Sequence, residues 1–129
     1  MWADEWLLIR ACALAHGVDP YLVGAIRKAE NGSPGREFGV LTVNAPTYAR
    51  QLEACCATVR NRMLEKPPRF RPRTLQSGVG RLCLNEDWIA WFATKWAPID
   101  AANDPNGLNK NWATNVLGWY HRAPDEWAP

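Results

Sequence analysis

Glu30 is the residue whose position most asks for a chemical explanation. At about 100° per residue, Leu22, Val23, Ala25, Ile26 and Ala29 share one arc of a helix. Glu30 falls inside that arc, between the directions of Ile26 and Val23, whereas a surface glutamate would share the side of Gly24 and Lys28. Its carboxyl is therefore expected to point toward the core or into a cleft. It also stands in the last turn, where the negative end of the helix dipole disfavours a carboxylate. Apolar surroundings and the dipole both favour the protonated form. A glutamic acid that keeps its proton near neutral pH is what cleavage of a glycosidic bond asks of a general acid. The competing expectation is an ion pair with Arg27, one turn back, which favours the charged form.

Retaining and inverting glycosidases pair such an acid with a second carboxylate. Glu37, Asp100 and Asp104 are the candidates. Glu37 lies in the loop that follows Glu30 and could face the same cleft or be a solvated loop charge. Asp104 precedes Pro105 and equally suits a turn in which it bonds its own backbone. Asp100 reads as structural. Tyr48 opens a helix beside the expected cleft, but it also heads that helix's apolar stripe, a core position. Asn103, Asn106, Asn109 and Asn111 crowd one segment. Their amides suit hydrogen bonding to N-acetyl groups, and equally turns and helix caps.

The run Arg60, Arg62, Lys66, Arg69, Arg71, Arg73 contains one acid, Glu65. It could hold an anionic polymer, or simply solvate a helix end and loop. His16 and His121 each close a helix, where a cation is welcome, and have no ligand spacing between them. None of Cys12, Cys55, Cys56 and Cys83 belongs to a C-x-x-C pair, so the four are expected as buried, reduced thiols. There is no phosphate-binding glycine loop and no serine elbow. No metal and no cofactor is expected.

The chain of 129 residues has 47% hydrophobic and 22% charged residues, which fits one globular domain spanning 1–129 and excludes disorder. Fifteen basic against 13 acidic residues leave a net charge of +2, too balanced for a dedicated nucleic-acid binder. No apolar run approaches the roughly 18 residues of a membrane span. The opening MWADEWLLIR lacks the basic start of a signal peptide, so a chain made in the cytoplasm is expected. Eight tryptophans suit either a thick core or rings that stack on sugars.

The elements that must position these groups read as helices. Trp2, Trp6, Ile9 and Ala13 space a first helix over 2–16, ended by Gly17. Asp19 and Pro20 are the N-cap and first residue of the helix that runs to Glu30, with Asn31 and Gly32 as its stop. The segment Asn31 to Gly39, with three glycines and a proline, must be a loop. Tyr48, Leu52, Cys55, Val59 and Met63 stripe a third helix starting near Pro46 and ending before Pro67. Residues 66–73 read as a proline-rich basic loop, and 74–85 fit either a short helix or irregular turns. Trp88, Ile89, Phe92 and Trp96 mark a fourth helix, residues 98–109 a loop, and Trp112, Val116, Trp119 and Tyr120 a last helix. No strict alternation stands out, so the expectation is all-α.

Ala25-Ile26-Arg27-Lys28-Ala29-Glu30-Asn31-Gly32, then Gly39-Val40-Leu41-Thr42, then Ala45-Pro46-Thr47-Tyr48 resembles the core of the lysozyme-like superfamily, soluble lytic transglycosylase type. That pattern is a helix ending in glutamate, a small polar residue and glycine, followed by a Gly-Leu-Met-Gln type segment and a helix opening Pro-Ala-Thr. The segment Ala101 to Gly107 is similar to the family's Ala-Tyr-Asn-Ala-Gly stretch. The match is clear over residues 19–50 and loose over 88–120, and it extends in outline to small lysozyme-like proteins of bacteriophages. Thr42 stands where the family has glutamine, and still offers a hydroxyl; Ala102 stands where it has tyrosine, and offers no phenol.

The resemblance implies a lysozyme-like fold of about five or six helices and cleavage of β-1,4 glycosidic bonds in peptidoglycan. It implies Glu30 as general acid and base, with Thr42 and Asn103 at the substrate; Glu37, Asp104 and Tyr48 are further substrate-binding candidates from the residues themselves. A transglycosylase of this family needs no second carboxylate, because one acid protonates the leaving oxygen and then acts as base. The partner implied is peptidoglycan or a related N-acetylated glycan, acted on at the cell wall, with delivery by a phage as one route. The rival reading is a non-catalytic lysozyme-fold protein, such as a phage structural or interaction protein, for which the lost tyrosine speaks.

Overall fold

Asp19 starts the helix around which the other elements gather. Its backbone is extended and its carboxylate accepts a hydrogen bond from the Tyr21 amide at 2.9 Å, satisfying one of the donors a helix start leaves unpaired. Pro20 follows at the first helical position. The helix ends at Glu30 because Asn31 turns left-handed (φ 44°) and its amide closes on Arg27 O at 2.9 Å. The structure, a computed structural model, describes residues 2–40, 45–75, 77–96 and 111–122.

Among these residues the helices are α1 (Trp2–His16), α2 (Pro20–Glu30), α3 (Tyr48–Glu65), α4 (Glu86–Trp96) and α5 (Trp112–Tyr120). Helix α2 packs on α1, α3 and α5, and α4 packs on α5. The periodic residues fill the shared core: Ile9 of α1, Leu22 and Ile26 of α2, Val59 of α3, Ile89 and Phe92 of α4, and Val116 and Tyr120 of α5 are fully buried. Each such side chain contributes about 1.5–3 kcal/mol of transfer free energy. The third helix starts two residues later than Pro46 suggests, because Thr47 is the cap and its hydroxyl accepts from Arg50 N at 3.2 Å.

The chain is mostly helical but not all-α. Residues read as a basic loop and irregular turns form an antiparallel hairpin, β1 (Phe70–Thr74) with β2 (Gly80–Leu84), in the register Phe70 to Leu84, Pro72 to Leu82 and Thr74 to Gly80. The usual strand signal fails here because only Cys83 and Leu84, at one end of β2, are buried. The rest of the ribbon is exposed or half-buried, so no apolar alternation is required of it. Pro72 has no N–H to give, which an edge strand tolerates, and both strands of a two-stranded sheet are edges. Asn85 N to Arg69 O at 2.8 Å extends the ladder, and the hairpin is anchored to α5 by the Leu84 amide to the Tyr120 hydroxyl at 2.9 Å. No helix among the described residues is long and apolar enough to cross a membrane.

Candidate functional site

The Glu30 side chain reaches inward, onto the aromatic residues of α4 and α5. Its Oε1 accepts the indole N–H of Trp112 at 2.7 Å and, more weakly, that of Trp96 at 3.4 Å. Those rings belong to a continuous aromatic wall: Trp88, Phe92 and Trp96 stack in series with centroids 5.3 and 5.6 Å apart, and Trp96 stacks on Trp112 at 5.7 Å. Trp88 and Trp112 are buried; Trp96 is half-exposed and is the member of the wall that solvent reaches. Cys55 of α3 also lies close. Burial, and after it the Glu30 charge, pushes the Cys55 thiol well above its ordinary range. The alternative pairing with Arg27 does not occur. Arg27 Nε instead donates to Glu5 Oε1 of α1 at 2.8 Å, because that face of α2 is turned to α1.

The opposite side of the Glu30 carboxyl is closed by Gly39. A Cβ there would stand 2.5 Å from Glu30 Cδ and collide with Oε2, and Gly39 also has φ +70°, so glycine is required twice over. Oε2 therefore sits against the bare face of a glycine and has no hydrogen-bond partner among the described residues. The loop that delivers Gly39 is folded tightly. Gly32 touches the Arg36 carbonyl where a side chain would otherwise stand, and Glu37, which is buried, accepts the Gly35 amide at 2.9 Å. Glu37 is thus not a solvated loop charge; one of its oxygens, Oε1, is held by the loop's own backbone.

Gln51 is the site-building residue that sequence reasoning missed. It is fully buried on α3, accepts from the amides of Phe38 (3.3 Å) and Val40 (3.2 Å), and donates to the carbonyls of Val40 (2.9 Å) and Ala45 (2.8 Å). One amide thus satisfies four backbone groups of the segment that brackets Gly39. Its signal was present: Gln51 stands one helical turn before Cys55, on the buried stripe, where an uncharged polar residue needs a partner. Tyr48 is half-buried and edge-on to Phe38 at 5.6 Å, with its hydroxyl buried and unpartnered among the described residues. Burial, and then Glu5, raises its phenol above the ordinary range. Its place is core packing beside the Glu5–Arg27 pair. Thr42, Asn103 and Asp104 lie outside the described residues, as do Asp100, Asn106 and Asn109. Asn111 precedes α5 without a side-chain cap bond.

The basic run is divided between elements and partly neutralised. Arg62 pairs with Glu65, while Arg73 and Arg71 share Glu86 at 2.6 and 3.6 Å. His121 is not a welcomed helix-end cation. Burial, then the Arg73 charge, lowers its pKa, with Glu86 opposing and Arg81 and Arg71 adding to the effect. Two open clefts, of about 310 and 390 Å³, border the hairpin and are lined by Arg73 and Thr74 among others; neither includes Glu30. All four cysteines are free thiols, with Cys12 half-buried and Cys55, Cys56 and Cys83 buried.

No family model, no curated protein and no solved structure matches this chain.

Proposed function

We propose that the chain cleaves β-1,4 glycosidic bonds of peptidoglycan glycan strands on a lysozyme-like fold, with Glu30 as the general acid and then the base. The observation that carries this reading is the asymmetric use of the Glu30 carboxyl. Oε1 is fixed by two indole N–H donors, and Oε2 is left without a partner among the described residues. Fixing one oxygen orients the other, so proton traffic runs through Oε2. When the proton passes to the leaving oxygen, the Trp112 and Trp96 N–H groups stabilise the carboxylate that remains. The same carboxylate then takes a proton from the nucleophile, the role it needs in a one-carboxylate mechanism.

A second reading, a non-catalytic lysozyme-fold protein, draws on the same bonds. A carboxylate tied to two indoles at the meeting of α2, α4 and α5 is also a structural pin. Digestion of purified peptidoglycan by the wild-type chain and by Glu30→Gln, with the products weighed, separates the two. Cleavage that falls by about 10²–10⁴-fold in the variant at unchanged fold supports the acid. Walls left intact by the wild type across several chemotypes support the pin.

A further inference from the structure

Away from the aromatic wall, α1 and α3 bring together three side chains of metal-ligating type. Cys12 and His16 are one turn apart on the same face of α1. Glu53 faces them from α3: its Oε1 is 2.7 Å from His16 Nε2 and its Oε2 is 3.4 Å from Cys12 Sγ. One donor atom from each of the three lies within 4.8 Å of the other two. We propose that Cys12, His16 and Glu53, with solvent completing the coordination, bind a zinc-class divalent cation that clamps α1 to α3.

Two of the donor separations stand near what such an ion requires. With metal–N and metal–O bonds of about 2.0 Å and metal–S bonds of about 2.3 Å, tetrahedral donors stand roughly 3.3–3.8 Å from one another. The Cys12–Glu53 separation already falls in that range, and the His16–Glu53 pair needs only to open by a fraction of an ångström. A sulfur, an imidazole and one carboxylate form a donor set that selects zinc over magnesium or calcium, which take oxygen cages. The approach is open, because Glu53 has 63% of its side chain exposed while His16 has 12%. Binding exchanges the thiol proton of Cys12 for a metal–sulfur bond and releases that proton to solvent. Sequence spacing hides the set because its two halves come from different helices, and the histidine distant in sequence, His121, is not part of it. The site draws on nothing in the glycan-cleavage reading, since it shares no residue with it.

The test uses the full chain, reduced and stripped by a chelator, titrated with cobalt(II) and then zinc(II). One equivalent of cobalt should produce a near-ultraviolet thiolate-to-cobalt charge-transfer band that one equivalent of zinc abolishes, and zinc should raise the melting temperature. Cys12→Ser and His16→Asn should each weaken cobalt binding by more than about tenfold, the least that loss of an outer-shell partner alone costs. Glu53→Gln, at a largely exposed position that cannot threaten the fold, should weaken it too, and Glu65→Gln should not. Absence of the band in the reduced wild type overturns the proposal, as does cobalt affinity unchanged in Cys12→Ser and Glu53→Gln. A disulfide at Cys12 in the unreduced protein, together with no cobalt binding after reduction, would assign that thiol to redox chemistry and overturn it as well.

Discussion

The two ends of α2 each hold a carboxylate that a side chain of α5 reaches, and they are used in opposite ways. At the start, both oxygens of Asp19 are engaged: Oδ1 by the Tyr21 amide at 2.9 Å, and Oδ2 by the Tyr120 hydroxyl at 2.5 Å. Tyr120 in turn accepts the Leu84 amide at 2.9 Å, and Arg81 lies over its ring and gives a bond to its carbonyl at 2.5 Å. That end is a closed junction of α2, α5 and β2. At the other end Glu30 has one oxygen held by indoles and the other against Gly39, with no partner among the described residues. A carboxylate with both oxygens engaged holds elements together; on the proposed reading, Glu30 is oriented through one oxygen and moves its proton through the other.

The sharpest way to break this contrast is to remove each carboxyl in turn. Glu30→Gln should reduce glycan cleavage by about 10²–10⁴-fold with little change in melting temperature. Asp19→Ala should leave the activity per folded molecule nearly unchanged and cost roughly 1–3 kcal/mol, from the lost cap and the orphaned Tyr120 hydroxyl. Parallel urea titrations and wall digestion read both effects. Activity lost in Asp19→Ala at full stability would merge the two ends into one site.

Gly39→Ala tests the packing at Glu30. Strain from a positive φ and collision with the carboxyl together should destabilise the fold by roughly 2–4 kcal/mol. Pairing it with Glu30→Ala should recover the collision part but not the φ part, so a double-mutant cycle with no coupling would refute the contact. Tyr120→Phe tests the opposite end. It leaves Asp19 Oδ2 and the Leu84 amide without their partner, at a cost of about 1–3 kcal/mol in chemical denaturation.

The smallest effect concerns pH. Burial raises the Asp19 pKa, with the bonds from Tyr120 and Tyr21 opposing. The folded state thus holds this proton more tightly than the unfolded chain. The corresponding stability is fully present below the ordinary carboxylate range and is lost as pH rises through the raised folded value. Asp19→Asn should flatten that segment of the stability–pH curve just above the usual carboxylate pKa; an identical slope in both proteins would mean that Asp19 is not the group responsible.

Local signals carried a long way. Asp19, Pro20 and Asn31 bound α2 as expected because caps act on their own neighbours, and the arc shared by Glu30 and Ile26 follows from helical period alone. The hairpin escaped because a ribbon buried only at one end has no alternating pattern to read. That Glu37 accepts the Gly35 amide was not legible, because the choice is fixed by loop conformation and not by residue type. Gln51 was legible in principle, as a polar residue on a buried stripe, but nothing in its neighbours names the backbone groups it would satisfy.

The sequence by itself therefore determined the helices, their ends and the inward aim of Glu30, since each depends on residues within a turn or two. The tertiary structure alone decided what Glu30 meets: Trp96 is 66 residues away and Trp112 is 82. It alone turned Arg27 to Glu5, closed Asp19 with Tyr120, and set Cys12 and His16 against Glu53. The physical reason is that helical period fixes a direction about one axis, whereas a partner is fixed only by how several axes pack, and that depends on the whole core at once.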